Sequence, residues 1–113
     1  MAVAGFSRLK KRAEFLAVAG RGRKQARGAL LVQVFPNPAG TRLGFTATKK
    51  LGNAVVRNRA KRRMRAAARL ELAGVTNHDI VLVAREAIRK NSFVALRADL
   101  CAALDRQIGR AHV

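Results

Sequence analysis

Apolar residues recur along the chain at two spacings, and the switches between them mark the elements. Leu9, Ala13, Leu16 and Ala17, with Phe15 and Val18 beside them, follow helical spacing and predict a short helix over 8–19, closed by Gly20. RGRKQARG (21–28) reads as a basic, glycine-containing connector. ALLVQVF (29–35) has strand composition, and PNPAG (36–40) supplies turn chemistry. In RLGFTAT (42–48), Leu43, Phe45 and Ala47 alternate with Gly44, Thr46 and Thr48. The short Pro/Gly connection predicts that these two strands form an antiparallel hairpin.

From residue 53 the period changes again. Val56, Ala60, Met64, Ala67 and Leu70 form one apolar stripe at intervals of three or four, predicting a helix over 53–73. Asn53 is the expected N-cap, and Gly74 stands where a helix should end. IVLVA (80–84) is apolar without alternation, as in a strand buried on both faces. Ser92 can cap a last helix that buries Phe93, Leu96, Leu100, Leu104 and Ile108. The order α-β-β-α-β-α predicts a small α/β sandwich, and the length of 113 residues fits one domain spanning 1–113.

Charge changes the picture of the long helix. Asn58, Lys61, Arg62, Arg65 and Arg69 lie opposite its apolar stripe, and nine of the chain's 24 Lys and Arg residues fall between Lys49 and Arg69. No acidic residue occurs between Glu14 and Glu71, and the whole chain has a formal net charge of +18. A merely solvated helix face usually mixes signs through i,i+4 pairs. This one does not, which points to a polyanionic partner, and nucleic acid is the default. Arginine predominates over lysine, as suits forked hydrogen bonds to phosphate. Lys49, Lys50 and the Gly52–Asn53 turn place further charge at the positive end of the helix dipole. Arg63 is the exception: its helical angle brings it near the apolar stripe, so its stem is expected to snorkel along the core edge.

Several function classes lose ground. The acids Glu14, Glu71, Asp79, Glu86, Asp99 and Asp105 are scattered, and His78 and His112 are far apart, so no catalytic carboxylate or histidine pair is evident. One cysteine, Cys101, permits neither an internal disulfide nor a cysteine-based zinc site, and it reads as a buried thiol in an intracellular, cytoplasmic protein. No apolar run is long enough to span a bilayer, and the basic helix lacks the Trp/Phe/Leu-rich face of a membrane-surface element. Strands rather than a partner helix flank it, which disfavours a helix-turn-helix DNA reader. Recognition of RNA by its backbone shape fits better. Aromatic platforms for single strands are scarce, and Phe15, beside the basic N-terminal helix, is the candidate.

KKLGNAVVRNRAKRRMR (49–65) closely resembles the signature of the bacterial ribonuclease P protein subunit. RLKKRAEF (8–15), RLGFTATKK (42–50) and DIVLVAR (79–85) are similar to flanking segments of that family, so the resemblance covers nearly the whole chain. It implies an αβββαβα order, with three helices on a sheet of three to four strands, the extra strand near 23–27 and a left-handed βαβ crossover through the basic helix. It implies a protein without catalytic or metal-binding residues of its own, partnered by a catalytic RNA. That RNA, with Mg²⁺ held mainly by RNA, removes the 5′ leader of precursor tRNA. Arg57, Asn58, Arg59, Lys61, Arg62, Arg65 and Arg69 would contact the RNA subunit. Phe15, Arg8, Lys10, Lys11, Lys49, Lys50 and Asn53 would serve the leader, in a cleft between the first helix, the sheet and the basic helix. Aromatic residues common in the family correspond approximately to Ala19, Ala29 and Val32 here, which implies less base stacking. The alternative from another class is a ribosomal-type RNA-binding protein without a processing role.

Overall fold

The structure, a computed structural model, describes residues 6–108. Its elements are β1 (Ser7–Arg8), α1 (Arg12–Arg21), β2 (Arg23–Arg27), β3 (Leu30–Pro36), β4 (Arg42–Thr46), α2 (Ala54–Glu71), β5 (His78–Ala84) and α3 (Phe93–Ile108). They build one five-stranded sheet in the order β1-β4-β5-β3-β2. The mixed α/β class and the three helices agree with the sequence. β2 is the strand that the resemblance implies near 23–27, and the sheet is wider than expected because the two-residue β1 is added at the far edge.

The expected hairpin between β3 and β4 does not form. β5 lies between them, antiparallel to β3 and parallel to β4, with Val34 and Leu43 both opposite Ile80. The physical reason is in the composition of β5. Ile80, Leu82 and Ala84 join the core under α2 and α3, while Val81 and Val83 join the smaller cluster on the opposite face. Only a central position buries both sets. The 37–41 loop therefore bridges two strand spacings, roughly 10 Å, and is pinned to the start of β5: the Asn37 amide donates to Asn77 O at 2.9 Å. The tight hairpin is instead β2–β3, turning at Gly28 (φ +51°) and Ala29. Asp99 of α3 closes it by accepting the Ala29 N–H at 3.0 Å.

Helices occupy both faces. α2 and α3 cover Leu30, Val32, Val34, Leu43, Phe45, Ile80 and Leu82, with Met64, Ala67, Leu96, Leu100 and Leu104 fully buried. α1 covers the other face through Val18 and Phe15. It begins later than predicted and runs through Gly20 to Arg21, and Leu16 faces solvent. The chain turns from α1 into the sheet at Gly22, where a β-carbon would sit 2.4 Å from Val34 O.

One polar network ties α1 to the sheet. The Glu14 carboxylate accepts the N–H groups of Lys10 and Lys11, both at 2.9 Å, and pairs with the Arg42 guanidinium. Arg42 reaches across to the buried Asp79 through two bonds of 2.9 and 2.7 Å, and Asn37 donates to the same carboxylate at 2.9 Å. The two backbone amides, with Arg42 adding to them, hold the Glu14 carboxyl below its ordinary value of 4.5. Asp79 first, then Glu14, keep the Arg42 guanidinium more firmly protonated than usual.

Arg42→Met strands Asp79 in the sheet, and in urea denaturation it should lower stability by about 2–3 kcal/mol, less than the full penalty for a wholly buried pair because Arg42 is part-exposed. A depressed carboxyl pKa contributes stability that is present above the unfolded value and lost as pH falls through the folded one. The wild-type melting temperature should therefore drop below about pH 4.5, and Glu14→Gln should flatten that part of the profile.

Candidate nucleic-acid interface

α2 is where the sequence packs cation and core most densely together. Asn53 caps it as expected, its Oδ1 accepting the Val56 N–H at 3.0 Å. Ala60, Met64, Ala67 and Ala68 turn inward, and Val56 is half-buried. Leu70, assigned by spacing to the apolar stripe, is instead 53% exposed, because α3 packs along the Ala67–Glu71 side and leaves its angle uncovered.

The cations of α2, together with Asn58, fall into three sets. Asn58, Arg59, Arg62 and Arg69 are exposed. Arg57, Lys61 and Arg65, spaced four apart on one flank, are half-buried, and the Nε atoms of Arg57 and Arg65 are buried without a hydrogen-bond acceptor. Such stems lie along the protein surface and leave the charged heads at its edge. Arg63, on the opposite flank, donates to Ile88 O and, at 2.6 Å, to Asn91 O. Burial, and then repulsion from Arg59, lower its pKa. Arg63 is therefore a clamp joining α2 to the segment after β5, a role beyond the snorkelling expected from its helical angle. No local sequence signal gives that partner, which lies 25 residues away.

The second surface is on the α1 face of the sheet. Register places three rows there: Ala26, Leu31, Val83 and Thr46; Lys24, Gln33, Val81 and Gly44; then Phe35, Asp79 and Arg42. Phe15 lies against the backbone of β4, since a β-carbon on Gly44 would meet its ring at 2.5 Å. The ring is half-buried, and Leu31, Val83 and Thr46 are only partly covered, so a shallow apolar strip runs beside α1. Lys49, Lys50 and the start of α2 stand beyond the end of β4 that this strip reaches, and Lys49, Lys50 and Asn53 are all exposed.

This geometry revises the expected cleft. α1 and α2 lie on opposite faces, so α2 does not form a wall; only its N-terminal end approaches the strip. Ala29 and Val32 are fully buried in the α2/α3 core, so their small size takes nothing from this surface. Leu31 and Lys24 belong to it, and alternation from Val32 along β3 could have shown it. Lys10 and Lys11 are exposed at the entry to α1, whereas Arg8, opposite Leu43, lies on the α2 side by register.

The acids do not oppose this charge. Glu14 and Asp79 hold Arg42, Glu71 holds Arg97, Glu86 meets Arg89, Asp99 closes the β2–β3 turn, and Asp105 accepts from Cys101. Among the described residues no three His, Cys, Asp or Glu side chains gather to hold a metal, and no helix is long and apolar enough to cross a membrane. His78 bonds through Nδ1 to Thr76 O at 2.7 Å, a turn contact.

The family model described as Ribonuclease P matches residues 4–107. The ribonuclease P protein component of Gluconacetobacter diazotrophicus is 51% identical over 82% of this chain and 84% of its own length. That of Erythrobacter litoralis is 46% identical over 87% and 83%. Among solved structures, the ribonuclease P protein of Staphylococcus aureus superposes with a TM-score of 0.78 at 29% identity, covering 94% of this chain and 95% of that one. The Thermotoga maritima protein gives 0.77 at 28%, covering 88% and 96%.

Replacing Arg63 separates an architectural cation of α2 from its exposed ones. Arg63→Met leaves two carbonyls without their donor and should cost about 1–3 kcal/mol in denaturant unfolding. Arg62→Ala, on the exposed face, should change stability by less than about 0.5 kcal/mol.

Proposed function

The chain belongs to the ribonuclease P protein family, and on that premise we propose how its two surfaces divide the work of the ribonuclease P holoenzyme. It serves as the protein component of that tRNA-processing endonuclease. The observation that carries the division is electrostatic: each of the six acids has an internal partner, while exposed cations stand on both sides of the sheet, with Arg59, Arg62 and Arg69 on α2, Lys49 and Lys50 beyond the end of β4, and Lys10 and Lys11 at the entry to α1.

In this reading α2 docks on the catalytic RNA. Asn58, Arg59, Arg62 and Arg69 contact phosphates directly, and the heads of Arg57, Lys61 and Arg65 extend the same surface along its flank. Each phosphate neutralised releases condensed counterions, which favours association at low salt. The precursor tRNA leader, a single strand, lies along the α1 side of the sheet. Phe15 offers a ring to one base, the Leu31–Val83–Thr46 strip offers apolar area, and Lys10, Lys11, Lys49 and Lys50 meet phosphates. Asn53 has its Oδ1 committed to the helix cap, so its NH₂ group is what remains to donate. Arg8 belongs with the α2 side in this scheme.

The chemistry belongs to the RNA. The described side chains offer no gathered carboxylates or histidines, so Mg²⁺ is held by RNA in this reading, and the protein positions substrate and neutralises phosphate. The match over residues 4–107 weighs against a ribosomal-type role. With α1 and α2 on opposite faces, one chain can touch the catalytic RNA and the leader together.

The two surfaces should separate by mutation. Arg59→Ala and Arg62→Ala should each weaken RNA-subunit binding by about 1 kcal/mol or more, equally for substrates with and without leader. Phe15→Ala should weaken only the leader-bearing substrate, by about 1–3 kcal/mol. Equal losses on both substrates for Phe15→Ala would remove the leader from the α1 face.

A further inference from the structure

A cavity of about 160 Å³ opens between α2 and the turn of 3₁₀ helix at Glu86–Arg89. Val56, Ala60 and Ile88 line it with apolar surface, and Arg59, Arg63 and Arg89 line it with guanidinium groups. Arg63 is immobilised by its bonds to Ile88 O and Asn91 O. Arg89 donates to Leu51 O at 3.4 Å, and its 3.5 Å pairing with the largely exposed Glu86 is a loose surface contact. Three cations around one opening repel one another, as the effect of Arg59 on Arg63 registers. The volume is close to that of an engineered apolar cavity of ~150 Å³ that admits benzene, so one six-membered ring fits.

We propose that this cavity holds a single unstacked nucleotide of the catalytic RNA, its base against Val56, Ala60 and Ile88 and its phosphate on Arg59 and Arg89. The inference rests on the ribonuclease P reading and deepens it, adding a base-holding site to a surface otherwise read as contacting phosphates. A base needs an apolar or aromatic bed and a fixed polar plane beside it, and the held guanidinium of Arg63 supplies that plane. The small residue at position 60 keeps the bed open. A ring of pyrimidine size is the occupant the volume favours, since a purine adds a second ring.

The test has two arms on the full chain. Methyl resonances of Val56, Ala60 and Ile88 are followed by NMR during titration with cytidine 5′-monophosphate, and separately with ribose 5-phosphate. Shifts with the nucleotide that ribose 5-phosphate does not reproduce are expected. Methyls that stay still with the nucleotide, or move equally with both probes, overturn the proposal. In the second arm Val56→Phe fills the cavity, and affinity for the ribonuclease P RNA is measured against salt. The expected result is about a tenfold loss with the salt slope unchanged, because no phosphate contact is removed. Unchanged affinity overturns the site. If Val56→Phe does not fold, Arg89→Met serves, and it should weaken binding and reduce the salt slope by about one; an unaltered slope and affinity again overturn the site. Wild-type chain measured alongside keeps the two readings apart: failure to bind the RNA at all condemns the ribonuclease P reading, whereas normal binding by both variants condemns only the cavity.

Discussion

Six carboxylates serve a chain of 24 Lys and Arg residues, and the fold places four of them at its joints. Glu14 and Asp79 grip opposite sides of the Arg42 guanidinium and so fasten α1 to the β4–β5 pair. Glu71 fastens α2 to α3, and Asp99 locks the β2–β3 turn. With the acids engaged there, the positive surface has little to neutralise it from within. Folding proceeds against self-repulsion, and a polyanion removes that repulsion on binding. Both proposed RNA-facing surfaces follow from this allocation of charge.

The sheet translates it into geometry. β5 is apolar on both sides and takes the centre, which separates the two faces and gives each its own helix layer. One side receives α2, whose inner stripe of Val, Ala and Met is narrow enough to leave cations on both flanks. The other receives α1, which covers only part of the sheet and leaves Leu31, Val83 and Thr46 half-exposed beside Phe15. Gly44 lets that ring settle against the strand backbone.

Much of this was legible from local pattern. Asn53 capping, the inward positions Ala60, Met64 and Ala67, the doubly buried β5 and the Ser92 cap of α3 all follow from spacing and side-chain chemistry. What escaped was set by long-range pairing. A Pro/Gly loop between two strands looks like a hairpin until a third strand, 40 residues on, competes for the space between them. Leu70 and Leu16 have helical spacing but no neighbouring element to cover them. Arg63 reads as a misplaced cation because its acceptors are backbone carbonyls, which a sequence does not display. The α2 residues proposed to face RNA were visible as a motif. The extent of the α1-side strip, with Leu31 and Lys24 in it and Ala29 and Val32 outside it, needed the strand register.

The central claim is that this protein supplies position and charge while RNA supplies chemistry. Its most direct measurement is cleavage of a 5′-extended precursor tRNA at low, near-physiological Mg²⁺ by three samples: the protein alone, a bacterial ribonuclease P RNA alone, and the two together. The account predicts cleavage at the mature 5′ end in the mixture and neither component sufficient under those conditions. Cleavage at that end by the protein alone, or a mixture no better than a well-matched RNA alone, would contradict it.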